Sequence, residues 1–178
     1  MEKSLSISET VKKWGLIYGL VGVIYVYITA LLGIQGNSSN ISAGIISFII
    51  TLGIAFAVYS LAVKEYKNEN SGILTFGKAY VICLLVGLLG GVIRSVGFYI
   101  YIKFIDPTYV ESIMNAQIEA QEKMGVTVPD PESLPAFMKF FQTNEFFAFS
   151  TLFSAILGAL IFGLIVAAIY QKKEDFSY

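Results

Sequence analysis

The stretch GLLGGVIRSVGFYIYIKF, residues 87–104, decides how the chain is read, because it is apolar enough to cross a bilayer and yet carries an arginine. A crossing needs about 20 predominantly apolar residues to traverse roughly 30 Å of hydrocarbon. Extended to Ala79–Ile102, the run contains thirteen Leu, Ile, Val and Phe residues. At roughly 0.3–0.6 kcal/mol each, they outweigh the roughly 2.5–3.5 kcal/mol that an arginine costs at the centre of a spanning helix. The stretch is therefore predicted to insert with its charge, and Arg94 needs an explanation.

Three further runs reach spanning length: Trp14–Ile34, Ile41–Val63 and Phe146–Tyr170. Of the 178 residues 56% are hydrophobic and 14% charged, and the mean hydropathy is +0.70. Soluble domains are less apolar and more charged than this. The expected fold class is all-α, an antiparallel integral membrane four-helix bundle forming a single domain over residues 1–178. The first run exceeds the length of a signal-peptide core and lacks an A-x-A-like cleavage site, so the helix is expected to stay attached.

Lysines and arginines resist translocation, so their bias orients the bundle. Lys3, Lys12, Lys13, Lys64, Lys67, Lys78, Lys172 and Lys173 fall on one side, against Lys103, Lys123 and Lys139 on the other. Both termini are expected in the cytoplasm, with the charge-free hairpin QGNSSN outside. Ser6 and Glu9 have the spacing of a capping box, and Asn40, Thr75 and Asn144 stand where the other three spans would be capped. Trp14, Tyr18, Tyr99, Tyr101, Phe146 and Phe147 read as interfacial aromatics.

The segment from 106 to 145 is extracytoplasmic in this reading. Asp106-Pro107 is a helix start, and Tyr109, Val110, Ile113, Met114 and Ile118 form an apolar stripe that Gly125 closes. TVPDPESLP then breaks the helix before AFMKFF. Such a segment lies on the bilayer, caps the bundle or meets a partner.

Lipid is as apolar as leucine, so helices associate where small residues let backbones approach. Gly15, Gly19, Gly22, Thr29 and Gly33 share one face of the first span, interrupted by Val26. Cys83, Gly87, Gly90 and Gly97 repeat the pattern on the third. Gly44, Ser47, Thr51 and Ala55 do so on the second, and Ser154 and Gly158, with Ala155 and Ala159, on the fourth. Gly15, Gly19, Gly22, Gly87, Gly90 and Gly158 are accordingly the expected packing positions.

Arg94 occupies the missing step between Gly90 and Gly97, which turns it toward protein. No Asp or Glu lies within any span, so the usual intramembrane ion pair is excluded. Either the guanidinium snorkels to water or tyrosines, or it binds an anionic lipid or solute. Tyr25, Tyr27 and Tyr99 are candidate neighbours, and Arg94, Tyr25 and Tyr99 form the candidate anion site.

Several classes drop out. With no histidine and one cysteine, no metal site, cofactor or intrachain disulfide is expected. Cys83, in apolar surroundings, reads as a small packing residue. The net charge of −1 argues against nucleic acid as partner. No catalytic motif or paired carboxylate is found at a plausible depth, so the chain is not expected to be an enzyme.

KKWGLIYGL at the first span, AVKEYKNENSGILTFGKAY between the second and third, YIKFIDP after the third and GLIVAAIYQKK at the end of the fourth resemble a bacterial family of multi-pass membrane proteins. It is catalogued as domain of unknown function 4199. The resemblance implies a four-helix protein of the bacterial inner membrane and carries over no site residues. The expected function is that of a small accessory or self-associating membrane subunit acting through helix packing. Its partners are then the lipid bilayer and either itself or another membrane protein. The alternative is binding or transport of an anionic lipid or solute at Arg94.

Overall fold

The computed structural model describes residues 5–32, 41–127 and 134–172. Gly33, Asn40 and the hairpin between the first two spans lie outside the described residues, as does most of TVPDPESLP. The chain forms α1 (Ile7–Leu31), α2 (Ile41–Asn68), α3 (Phe76–Ile100), α4 (Tyr109–Lys123), α5 (Ala136–Phe140) and α6 (Asn144–Tyr170), with a π-helical turn over Tyr101–Ile105 prolonging α3. Four of these, α1, α2, α6 and α3 with its π turn, are long and apolar enough to cross a membrane. Leu16, Leu20, Ile24 and Ile28 of α1 form an exposed row, as do Leu85, Leu88, Val92 and Val96 of α3. In water such rows would be costly, whereas lipid covers them without penalty. This is an all-α membrane bundle.

Local chemistry sets the helix starts. Ser6 caps α1 with the full reciprocal box to Glu9, so the helix begins a full two turns before Trp14. The Thr75 hydroxyl accepts from the Lys78 N–H at the start of α3. For α6 the cap is Thr143 and not Asn144: the threonine hydroxyl accepts from the Phe146 N–H, and Asn144 is the first helical residue.

The core is organised around α3, which packs along α1 and α6. Its contact with α1 is parallel, because Gly15, Gly19 and Gly22 of α1 meet Leu89, Ile93 and Arg94 in ascending order. The exchange is mutual, with Tyr18 and Val23 of α1 seated over Gly90 and Gly97 of α3. Each glycine is a hole that takes a side chain from the facing helix. The contact with α6 is antiparallel: Gly87 and Gly91 of α3 meet Ala159 and Ala155, and Gly163 of α6 meets Cys83. Near one end of this seam the Ser95 hydroxyl donates to the Ala148 carbonyl at 2.7 Å.

The lysine-rich end is tied by polar contacts. Glu65 accepts from both the Lys13 ammonium and the Trp14 indole. Lys67 donates to the Tyr170 carbonyl at 3.0 Å, and Leu74 and Lys172 form an antiparallel bridge. Trp14 is thus a cross-helix donor as well as an end-of-span aromatic. Tyr18 does not sit at an interface: it is 6% exposed, in the core, edge-on to Tyr59 with ring centroids 5.5 Å apart.

At the other end α4 docks by the first turn of its apolar stripe. Tyr109 meets Phe98 and Tyr101 edge-on, and Val110 is buried with Val26 and Ile102. The rest of the stripe is only half covered. Helix α5 is exposed throughout, and its Phe140, with the following Phe141, packs edge-on to Phe146 at the start of α6.

The glycine holes give a direct prediction. A Cβ on Gly19 would stand 2.6 Å from the Ile93 Cβ, so Gly19→Val is expected to cost about 1–3 kcal/mol by overpacking. Gly53→Val, where a Cβ meets nothing within 4 Å, is expected to leave stability unchanged. Unfolding of the purified protein in detergent, followed by circular dichroism, checks the pair; equal stability of the two variants would refute the seam.

Candidate functional site

A cavity of about 310 Å³ opens among α1, α2, α3 and α6. Its polar wall is Arg94 of α3, Tyr25 of α1, Ser47 and Thr51 of α2, and Ser154 of α6; Phe48, Leu52 and Phe162 supply much of the apolar wall. It exists because α2 is held along only half its length. Ala55, Val58, Tyr59, Ala62, Val63 and Tyr66 are buried, whereas Ile45, Ile46, Phe48, Ile49 and Ile50 are 45–62% exposed. The half of α2 nearer α4 therefore stands away from α3, and the gap is the cavity.

Arg94 reaches this gap across Gly22. A Cβ at position 22 would lie 2.9 Å from the arginine Cδ and 3.3 Å from its Cγ. The missing side chain on α1 is thus the channel through which the aliphatic stem runs. The side chain is half-buried, and its Nε is buried with no hydrogen bond to protein. Among the described residues no carboxylate pairs with it, and Arg94 is the one charged side chain lining the cavity. An arginine is always cationic, and a buried unsatisfied donor costs roughly 1–3 kcal/mol. The cavity therefore carries a net positive charge and an unspent N–H donor.

The hydroxyls of Tyr25, Ser47 and Thr51 are already engaged with one another or with backbone. Tyr25 Oη lies 3.1 Å from the Ser47 carbonyl oxygen and 2.6 Å from Ser47 Oγ, and Thr51 donates to the same carbonyl at 2.9 Å. Tyr25 latches α1 to α2 at the level where the two would otherwise part. The oxygens keep lone pairs free to accept. Chemically the site offers N–H donors from Arg94 and acceptor oxygens from α2 and α1, which suits an anion bearing polar substituents.

The sequence-derived candidates separate here. Arg94 and Tyr25 line one cavity. Tyr99 lies elsewhere: its hydroxyl donates to Glu145 at 3.1 Å and accepts from Lys103, at the exposed end of the bundle. Tyr27 also points away, donating to the Gly97 carbonyl at 3.2 Å. Among the packing candidates, Gly15, Gly19, Gly22, Gly87 and Gly90 are all in close contact across seams, but Gly158 closes none. A Cβ there meets nothing within 4 Å, and the residue lines the cavity. Ser47, Thr51 and Ser154 were readable in the sequence only as small seam residues. The signal available was their hydroxyls, at a spacing of four on α2 and at matching depth on α6. Among the described residues no three metal-ligating side chains converge.

Removing the latch tests this geometry. Tyr25→Phe deletes both Tyr25–Ser47 bonds from α1 to this half of α2, and interhelical bonds of this kind contribute roughly 0.5–2 kcal/mol. Hydrogen exchange is expected to accelerate at residues 44–52 and to stay unchanged at 80–93. Uniform acceleration across both segments would show that the latch is not local.

Nothing among curated proteins or solved structures matches the chain. The family described as protein of unknown function (DUF4199) matches residues 13–172, which include every spanning helix but the first turns of α1, and the whole cavity. The chain belongs to that family of unknown function.

Proposed function

We propose that this membrane protein is a binding protein and not an enzyme, and that its bundle holds an anionic group, from a lipid or a solute, at Arg94. The observation that carries the reading is the buried, unpaired Arg94 Nε facing a cavity whose other polar groups are uncharged. A cation kept in lipid at a cost of a few kcal/mol, with neither carboxylate nor backbone partner, is accounted for by a ligand that supplies the counter-charge. Arginine's planar fork matches phosphate and carboxylate oxygens in a way that a lysine does not.

The lysine bias supports placing the termini in the cytoplasm and α4 outside, in the inner membrane of a bacterium, which puts Arg94 in the outer half of the bilayer. Arg94 is nine residues from Lys103 and sixteen from Lys78, roughly 13 and 24 Å along a helix axis. Self-association through helix packing has less support, because the tightest glycine stripes, on α1 and α3, are filled by side chains of the same chain. Gly44 and Gly53 of α2 remain uncovered.

The test is retention of anions by the purified protein. Wild type in neutral detergent, offered phosphatidylglycerol and, separately, inorganic phosphate, is expected to hold at least one of them in native mass spectrometry. Arg94→Gln is expected to weaken that binding roughly tenfold or more, since a charge-assisted bond is worth about 1.5–3 kcal/mol, and Arg94→Lys to retain part of it. Thermal unfolding of the unliganded variants controls for folding. Binding by Arg94→Gln as tight as by wild type would remove the proposal.

A further inference from the structure

We infer that the occupant of the Arg94 cavity is an anionic lipid whose phosphate enters sideways between α2 and α6 while its acyl chains stay in the bilayer. The inference rests on the anion-binding reading above and specifies the ligand's source and route.

The walls of the cavity are unequal. Toward α1 and α2 it is shut by the Tyr25–Ser47 latch. Toward α3 and α6 it is shut by the seam of Gly87 and Gly91 against Ala159 and Ala155. Toward α1 and α3 it is shut by the arginine stem lying on Gly22. Between α2 and α6, among the described residues, no hydrogen bond or glycine contact closes it at this level, and Gly158 of α6 faces open space. Phe48 lines the cavity and is 62% exposed on the outer surface of the bundle. Ser154, on the facing edge of α6, also lines the cavity and is exposed. The same two helices are pinned together at their other ends, where Lys67 of α2 bonds the Tyr170 carbonyl of α6 at 3.0 Å. The cleft is thus wedge-shaped, closed toward the lysine-rich end and open toward α4.

This opening faces acyl chains. A dissolved anion arriving that way would have to cross hydrocarbon, whereas a lipid phosphate begins at the interface with its tails already in place. The single charge of Arg94 matches a phosphodiester monoanion, which two parallel guanidinium N–H groups can grip. Phe48, Leu52 and Phe162 line the rest of the wall and suit the glycerol backbone and first methylenes. The free lone pairs of Ser47, Thr51 and Tyr25 accept from headgroup hydroxyls, so a glycerol headgroup fits better than choline, which donates nothing.

The mouth can be blocked without touching Arg94. Ser154→Phe places a ring at the edge of α6. Wild type is expected to retain one phosphatidylglycerol in native mass spectrometry under conditions that strip phosphatidylcholine. Retention should be roughly tenfold or more weaker in Ser154→Phe, a loss of about 1.4 kcal/mol or more. Sn-glycerol 3-phosphate and inorganic phosphate should compete poorly. A second readout does not depend on the blocked variant: in Trp14→Phe/Phe48→Trp, brominated-chain phosphatidylglycerol should quench the new tryptophan more than brominated-chain phosphatidylcholine does. Equal quenching, or unchanged retention in Ser154→Phe, overturns the lateral route. If inorganic phosphate binds wild type as tightly as the lipid and is lost in Arg94→Gln, the anion site stands and the lipid assignment fails. If Arg94→Gln binds every probe as wild type does, both fail.

Discussion

The structure depends on how closely α1 and α3 approach. In lipid no hydrophobic force drives two helices together, so their contact must come from packing that lipid tails cannot match. Here it comes from interlocked holes: Leu89, Ile93 and Arg94 enter glycine positions on α1, and Tyr18 and Val23 enter glycine positions on α3. The two helices run the same way and are separated in sequence by α2. A chain that passes up, down and up again usually sets its first and third passes on a diagonal; here the glycines bring them side by side.

The consequence falls on α2. With α1 on one side of α3 and α6 on the other, and its Leu85–Val96 row left to lipid, α3 offers α2 little further surface, and α2 leans on the outside of the group. It is secured at the lysine-rich end, by Glu65 to Lys13 and Trp14 and by the burial of Tyr59, Ala62 and Val63. Farther along it has no glycine seam: Gly44 and Gly53 face no neighbour. Among the described residues, what ties that half to α1 is the Tyr25 hydroxyl on the Ser47 carbonyl and hydroxyl. Tight packing of three helices and loose packing of the fourth make a cavity at one depth, and Gly22 directs the arginine into it.

Much of this was legible in the sequence. Hydrophobic runs of spanning length, the Ser6–Glu9 box and the stripes on α1 and α3 depend on local spacing, and local spacing is what a sequence displays. Small residues are ambiguous, however. The stripe Ser47, Thr51, Ala55 has the same period as Gly15, Gly19, Gly22, yet one lines a space and the other fills one. Whether a small residue marks a contact depends on what the facing helix supplies. Leu89 and Ile93 stand opposite the glycines of α1, while the space before Ser47 and Thr51 is lined by Arg94 and Tyr25 without being filled. The burial of Tyr18 was hidden for a related reason. A tyrosine one turn after a tryptophan reads as an interface marker, and only the hole at Gly90 moves it into the core. Tyr99 fell the other way, because its helical face leads past the end of the bundle to Glu145.

The placement of polar groups also says how the cavity discriminates. Tyr25 already donates across to a backbone carbonyl of α2 and Thr51 to the same carbonyl within its own helix, and the Tyr25 bond does part of the work that packing does in the other helices. Their donor capacity is therefore committed within the bundle, which leaves the guanidinium as the principal donor toward a guest. A site with one strong cationic donor and several passive acceptors selects first on charge and then on whether the guest can donate back. Shape decides the rest, since the apolar wall and the exposed edge at Phe48 admit a group that remains partly in hydrocarbon.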